Sequence, residues 1–173
     1  KLVILDNKKI PVKDNIITVY EDYENDIYNA LKTGIKKISK YKKIILIYPK
    51  KTFYPYPKRI KHGFMKFCVA HHLDFDILDE VYNDMVLFKG DLFITIEEDD
   101  LVSLIEQIRD KEFVLGTDIG VVSYNDTPLK ALLGITVIST NFKIMGETTS
   151  SMILNNQKGT YKVPFNFIDR NSI

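Results

Sequence analysis

The sequence predicts an α/β fold built on parallel sheets, and three observations support that prediction. Short runs of aliphatic residues recur along the 173-residue chain and contain few polar residues, as strands buried on both faces do. Between these runs lie segments whose apolar residues recur at helical spacing. Most of the strand-like runs end in polar residues, and ligands of open α/β sheets bind at the carboxyl ends of the strands.

The composition fits a globular domain and gives no sign of a membrane span. Hydrophobic residues make up 45% of the chain and charged residues 27%, so a core can form and global disorder is excluded. The net charge of +1 lacks the basic excess that a nucleic-acid-binding surface needs. No apolar run approaches the roughly 18 residues of a membrane span, and no signal peptide opens the sequence. The single cysteine, Cys68, excludes an internal disulfide and lies in an apolar helical pattern, which predicts a small buried side chain.

The first half of the chain predicts three strands and two long helices. The strands are residues 2–5, 16–20 and 44–48. The first helix follows the acidic segment 21–26 and ends among lysines, an arrangement that complements the helix dipole. The second helix begins near Pro57 and ends at His71-His72. Before it, the Pro- and aromatic-rich loop 50–57 either faces a ligand or packs its rings locally.

The second half is organised around residues 116–142, GTDIGVVSYNDTPLKALLGITVISTNF. Before this stretch, strand 92–96 ends in four acidic residues, which also suit the start of the next helix. Within it, an apolar strand delivers Asn125 and Asp126 at its carboxyl end, where they are candidates for ligand binding. The other predicted elements are a short helix starting at Thr127-Pro128, a strand at 135–138, a helix capped by Asn141 and a last strand at 163–168.

Two other groups of residues suggest chemistry of a different kind. The adjacent His71 and His72 point in different directions on a helix and cannot share a tetrahedral metal ion. Glu97 and Glu98 offer an alternative, the acid/base pair of a glycosidase. The sequence has no Gly-rich phosphate loop, no GxSxG elbow and no HExxH motif. It therefore presents a pocket pattern without a catalytic constellation.

The stretch DIGVVSYND, followed by ITVISTNF, resembles the signature of LacI/GalR-type transcription regulators, DI-xVVGYDD-xP followed by LTTI and an aromatic residue. The segments KLVILDNKKIP, KKIILIYPK and YKVPFNFIDRNS are similar to further strands of the same effector domains, so the resemblance covers most of the chain. It implies the type I periplasmic-binding-protein fold, in which three crossovers join two parallel-sheet α/β subdomains. A small molecule, usually a sugar, binds in the cleft between them.

The polar strand ends and the resemblance together predict a set of ligand-binding residues. They are Asp6, Asp22, Tyr23, Tyr48, Arg59, Glu97, Tyr124, Asn125, Thr140 and Phe142. Asn125 stands at the position of the family's effector-binding aspartate, and Arg59 lies one residue before the family's arginine position, which is Ile60 here. Because several ligand positions are changed, the particular effector is not carried over.

The resemblance also implies a division of the chain. Residues 1–21 would form part of an N-terminal subdomain that is incomplete in this sequence, and residues 22–139 the C-terminal effector subdomain. Residues 140–157 would be a helix returning to the first subdomain, and residues 158–173 the closing strand and tail of the second. The segment between Tyr82 and Gly90 is too short for the helix that the family usually has there.

These features lead to the expectation of a cytoplasmic, non-enzymatic sensor without a cofactor or metal. It would bind a monosaccharide in the cleft, form a homodimer and act on DNA through an N-terminal head that this sequence lacks, such as a GntR-type winged helix. The alternative from another functional class is a solute-binding protein for sugar uptake. Two further hypotheses are a glycosidase and an interaction domain with an empty cleft.

Overall fold

The computed structural model describes residues 2–5, 16–50 and 52–173, which form nine strands and six helices. The strands are β1 (Leu2–Leu5), β2 (Ile16–Tyr20), β3 (Lys43–Ile47), β4 (Asp74–Leu78), β5 (Asp91–Thr95), β6 (Gly120–Tyr124), β7 (Thr136–Thr140), β8 (Gly159–Lys162) and β9 (Phe165–Ile168). The helices are α1 (Tyr23–Thr33), α2 (Ile35–Ile38), α3 (Lys58–Ala70), α4 (Glu98–Asp110), α5 (Pro128–Leu132) and α6 (Phe142–Leu154). The predicted alternation of strands and helices is confirmed.

The strands form two separate sheets, as the predicted two-subdomain architecture requires. A three-stranded parallel sheet has the order β1-β2-β8, and a six-stranded sheet has the order β4-β3-β5-β6-β7-β9. In the larger sheet only β9 runs antiparallel, to β7, and the other pairs are parallel. The α/β fold class is therefore confirmed.

Helices cover both faces of the larger sheet. On one face, Leu46 and Leu92 pack with α1 and α3, whose Ile27, Phe64 and Phe67 are fully buried. On the other face, the alternate strand residues pack against α4; this second cluster includes Ile45, Ile47, Phe93, Leu101, Leu104 and Val121. Strands buried on both sides are mostly apolar, which explains the aliphatic runs of the sequence.

The smaller sheet packs against α6. Met145 and Met152 of this helix contact Ile17, Val19 and Val163 in a third apolar cluster. Asn141 caps α6 as predicted, because its side-chain oxygen accepts a hydrogen bond from the backbone N–H of Ile144 at 3.0 Å.

The end of the chain differs from the predicted single strand at residues 163–168. Gly159–Lys162 pairs with β2 of the smaller sheet, and Phe165–Ile168 pairs with β7 of the larger one. Pro164 lies between these two strands. Proline has no backbone N–H, so it cannot continue the hydrogen-bonded ladder of a strand. The segment 158–173 is consequently divided between the two sheets.

The segment between β4 and β5 contains no helix, as its length predicted. The side chain of Gln107 holds it against α4, accepting a hydrogen bond from the Met85 N–H at 2.8 Å and donating one to the Tyr82 carbonyl at 2.9 Å.

Cys68 is fully buried, and burial raises the pKa of its thiol to about 12. Among the described residues, no helix combines the length and apolar character that crossing a bilayer requires.

Close packing of α1 on α3 depends on Gly63, and we expect Gly63→Ala to lower the free energy of unfolding by about 1–3 kcal/mol. An added Cβ would collide with the carbonyl oxygen of Glu24 and the side chain of Ile27. Gly146→Ala in α6 is the matched control, because nothing lies within 4 Å of its Cβ position. That substitution should raise stability by about 0.5–1 kcal/mol. Chemical denaturation measures both, and equal effects of the two substitutions would contradict the packing argument.

Candidate functional site

The carboxyl ends of the parallel strands gather polar residues along one edge of the larger sheet. β3 is followed by Tyr48, β5 by Ile96 and Glu97, and β6 ends at Tyr124. Because these strands run in the same direction, side chains far apart in the sequence meet at this edge.

Three of the predicted residues, Glu97, Tyr124 and Asn125, line one cavity of about 320 Å³. The other lining residues are Ile96, Glu98, Asp99, Thr127 and Lys130. Asn125 has a positive φ of 61°, a left-handed conformation that asparagine adopts more readily than most residues. Its backbone N–H donates to the carbonyl of Ile138 at 2.8 Å, so β7 helps to hold this turn at the end of β6.

A second cavity of about 520 Å³ adjoins the first and shares Glu97 and Asp99 with it. Its other lining residues are Pro49, Lys50, Thr52, Phe53, Asp79, Glu80 and Asp100. Lys50 forms an ion pair with Asp79 at 2.8 Å. Burial raises the pKa of Asp100, and the nearby carboxylates of Glu97, Glu80 and Asp99 raise it further, while a hydrogen bond from the Val81 N–H opposes the shift.

A chain of hydrogen bonds joins two predicted strand ends through Tyr56. The Tyr48 hydroxyl donates to the Tyr56 carbonyl at 2.7 Å, and the Tyr56 hydroxyl donates to Oε1 of Glu97 at 2.8 Å. Burial, together with the Glu97 carboxylate, raises the pKa of Tyr56 to about 12. The Tyr56 hydroxyl, as the hydrogen-bond donor, orients one oxygen of Glu97.

The aromatic side chains in the described part of the loop before α3, residues 52–57, are placed in two ways. Tyr56 packs against the core, whereas Phe53 and Tyr54 are 90% and 81% exposed and contact each other edge to face at 4.8 Å. Phe53 also lines the larger cavity. The loop thus packs one ring locally and leaves another at the cavity.

Asp22, Tyr23 and Thr140 lie where the chain passes between the sheets. The hydroxyl of buried Thr140 donates to the carboxylate of Glu21, whose side chain is only 9% exposed. Asp22 accepts a hydrogen bond from the Asn25 amide at 2.7 Å, and Tyr23 packs against the core as the first residue of α1. These predicted residues belong to the connections rather than to either cavity.

Two further predicted residues, Arg59 and Phe142, lie away from the two cavities at the strand ends. Arg59 is exposed on the first turn of α3, and Phe142 is 50% exposed at the start of α6. Neither residue lines the two cavities at the strand ends. Asp6 lies outside the described residues.

Three residues that shape this edge are absent from the predicted ligand-binding set. Tyr56 and Glu21 hold predicted residues by hydrogen bonds, and Lys130 of α5 lines the cavity at Asn125. The sequence gives no signal for the burial of Lys130, because lysine is rarely buried in folded proteins. The acidic residue directly after β2 was the one available signal for Glu21.

In the described part of the chain, no group of three or more His, Cys, Asp or Glu side chains is placed to hold a metal ion. His71 illustrates the reason: its ring contacts the aromatic rings of Phe67 and Tyr28 rather than other ligating side chains. What the edge offers is therefore hydrogen bonding by carboxylate, amide and hydroxyl groups beside exposed aromatic surface.

Solved structures of transcription regulators share this architecture. A periplasmic binding protein/LacI transcriptional regulator from Alkaliphilus metalliredigens, complexed with D-xylulofuranose, aligns with a TM-score of 0.69 at 16% identity over 98% of this chain and 69% of its own. A ribose operon repressor from Lactobacillus acidophilus aligns with a TM-score of 0.72 at 18% identity over 99% of this chain and 69% of its own. The lac repressor dimer bound to operator and an anti-inducer aligns with a TM-score of 0.69 at 14% identity, covering 98% of this chain and 56% of its own. The chain has the fold of LacI-type effector domains.

This LacI-type fold is recognised from structure and not from overall sequence similarity. The chain matches no protein-family profile and no curated protein sequence. It spans between 56% and 69% of the lengths of the three structures described above. At identities of 14–18%, the structural likeness establishes the fold alone. The ligand-binding side chains have to be identified from the residues of this chain.

An ion pair links the smaller sheet of the LacI-type fold to α1, a helix that packs on the larger sheet. Lys162, at the end of β8, lies 2.6 Å from Oδ1 of Asp26 in α1, and Asp26 is only 3% exposed. Burial raises the pKa of Asp26, although the ion pair with Lys162 opposes the shift. The other carboxylate oxygen accepts the Asp22 N–H at 2.7 Å.

Removing the cation from this pair is expected to destabilise the protein near neutral pH. Lys162→Met leaves the buried Asp26 carboxylate without its ammonium partner, which should cost about 1–3 kcal/mol. The loss should shrink as the pH falls through the raised pKa of Asp26, because a neutral carboxyl needs no cation. Thermal unfolding at several pH values measures the effect, with the exposed Lys158→Met as control. A loss that is independent of pH would contradict this explanation.

Proposed function

We propose that this chain is the ligand-sensing effector domain of a transcription regulator and that it binds a monosaccharide at the carboxyl edge of the larger sheet. The observation that carries the proposal is the cavity lined by Glu97, Tyr124 and Asn125 at the ends of two parallel strands. Carboxylate and amide groups suit the hydroxyls of a sugar, and aromatic side chains suit its apolar ring face. The D-xylulofuranose bound to a structural neighbour supports the same class of ligand.

The charges at the cavities favour an uncharged sugar over a phosphorylated one. Five carboxylate residues line the larger cavity, namely Asp79, Glu80, Glu97, Asp99 and Asp100. The lining cations Lys50 and Lys130 are each close to a carboxylate, Asp79 at 2.8 Å and Glu98 at 3.6 Å. A phosphate group would add negative charge to this edge, and like charges at short range are unfavourable.

The two sheets are proposed to be the two subdomains of the sensor. Residues 1–21 would belong to the smaller one and residues 22–139 to the larger one, with the connections after β2, β7 and β8 between them. Backbone hydrogen bonds tie these connections together, from the Val163 N–H to the Tyr20 carbonyl and from the Asn141 N–H to the Pro164 carbonyl, both at 2.9 Å. Ligand binding would then shift the balance between two arrangements of the subdomains.

The output of this shift is proposed to be DNA binding by a head in the full-length, cytoplasmic regulator. The lac repressor, which shares the fold, is bound to an operator as a dimer in its structure. A GntR-type winged helix is the proposed head, on the sequence resemblance alone.

A homodimer is proposed to form through the face of α4 and α5. Leu129, Leu132 and Leu133 of α5 and the following turn are 55%, 82% and 48% exposed, and Val102 of α4 is 50% exposed. Leu129, Leu133 and Val102 line an apolar groove of about 180 Å³ between the two helices. Contiguous exposed aliphatic side chains of this kind favour association.

The sugar proposal is tested by isothermal titration of the intact effector domain with a panel of pentoses, deoxyhexoses, hexoses and their phosphates. We expect one or more uncharged sugars to bind, and each bound sugar to bind more tightly than its phosphate. Asn125→Ala should weaken that binding at least about tenfold, a loss typical of a buried polar contact with a ligand. Asn29→Ala, an exposed position of α1, is the matched control and should leave the affinity unchanged. Silence of the wild-type domain across the panel would refute the sugar proposal.

The dimer proposal is tested by sedimentation velocity of the effector domain carrying Leu132→Asp. Because Leu132 is 82% exposed in the single chain, this substitution should leave the fold intact while placing a charge in the apolar face. We expect a dimeric wild-type protein and a monomeric variant with the same circular dichroism spectrum. Leu154→Asp, at a position that is 79% exposed on α6, is the matched control and should stay dimeric. A dimer that survives Leu132→Asp would place the interface elsewhere.

A further inference from the structure

Lys130 is a buried lysine in an unusual position beside the cavity at Asn125. It is the third residue of α5, yet its side chain is only 3% exposed. Its ammonium group donates to the backbone carbonyls of Tyr124 at 2.9 Å and Asn125 at 3.1 Å and lies 3.6 Å from Oε1 of Glu98. Burying an ammonium group is costly unless its hydrogen bonds are satisfied, and here two backbone carbonyls and Glu98 surround it. The question is what this buried lysine does for the structure.

The backbone around Lys130 brings its side chain back over the end of β6. Thr127 caps α5, and its hydroxyl oxygen accepts the Lys130 N–H at 3.3 Å. Pro128 occupies the first turn, where its fixed φ suits a helix start. The side chain of Lys130 therefore returns to the turn that precedes its own helix.

The turn that Lys130 holds is the one containing Asn125. The Asn125 N–H is bound to the carbonyl of Ile138, and the Asn125 carbonyl is bound to the Lys130 ammonium. The next residue, Asp126, is held separately, by Arg170 at 2.9 Å and by a hydrogen bond from its N–H to the Ser139 hydroxyl. Because Asn125 has a positive φ, its peptide groups need such partners to keep one conformation.

We propose that Lys130 is a positioning residue that holds Asn125 in the orientation in which it binds the ligand. This proposal rests on the proposed function and goes beyond it, since Lys130 would set the affinity without contacting the sugar itself. The two hydrogen bonds to adjacent carbonyls span the peptide link between β6 and Asn125, so loss of the ammonium frees that link. Thr127 and Glu98, which flank the ammonium, line the same cavity.

The surrounding carboxylates stabilise the charged form of Lys130 in this buried position. Burial lowers the pKa of Lys130, and the carboxylates of Glu98 and Asp126 oppose that shift. Asp126 is itself paired with Arg170, and the exposed Glu98 is the carboxylate that pairs with the Lys130 ammonium. A methionine in place of Lys130 preserves the length and apolar stem of the side chain but not the donors.

The test is a double-mutant cycle on the intact effector domain, read by titration with the tightest sugar of the panel. We expect Lys130→Met to weaken binding about tenfold in the wild-type background and no more than about twofold in the Asn125→Ala background. Lys36→Met, at an exposed position of α2, is the matched control and should leave the affinity unchanged. Equal losses in the two backgrounds would show that Lys130 acts independently of Asn125 and would overturn the proposal.

A second measurement does not depend on the ligand. Hydrogen exchange of the Asn125 backbone amide should accelerate at least about tenfold in Lys130→Met, while amides of β3 and β5 keep the rates seen in Lys36→Met. Unchanged exchange at Asn125 would overturn the proposal. If Lys130→Met does not fold, Lys130→Gln replaces it in both experiments. If the wild-type domain binds no sugar, the proposed function fails, and the exchange rate alone decides whether Lys130 positions Asn125.

Discussion

Helices cover both faces of the six-stranded sheet, and this burial determines where the chain can place polar side chains. Alternate residues of β3 and β5 pack into the two apolar clusters, so a polar side chain within these strands needs a buried partner, as Thr95 finds when its hydroxyl donates to the Ser123 hydroxyl at 3.2 Å. Polar groups can emerge only where the strands end. Parallel pairing then gathers the ends at one edge, which is why Glu97 and Asn125 line the same cavity although they are far apart in the sequence.

Hydrogen bonds join the connections between the two sheets. The carbonyl of Tyr20 accepts from Val163, the carbonyl of Pro164 accepts from Asn141, and Thr140 donates to Glu21. Such bonds keep three short connections side by side and still allow small changes of backbone angle at each of them. A ligand that contacts the edge next to these connections is well placed to change the relative position of the sheets.

Charged side chains at this edge of the sheet have two different roles. Carboxylates such as Glu97 and Asp99 line the cavities. The cations close to them are engaged by the protein itself, Lys130 by two carbonyls and Arg170 by Asp126 and the Ile135 carbonyl. The cations therefore stabilise the shape of the edge, and the carboxylates give it its chemical preference.

The sequence by itself determined the order of the elements, because local rules control them. Aliphatic runs marked β2, β3 and β5, the cap at Asn141 marked the start of α6, and the signature DIGVVSYND placed Asn125 at a strand end. The tertiary structure alone decided which residues meet. The division of residues 159–168 between two sheets followed from pairing partners that are distant in the chain, with Pro164 interrupting the ladder. The burial of Lys130 and the bond from Tyr56 to Glu97 likewise depend on contacts across a turn and between strands, which residue type and periodicity do not encode.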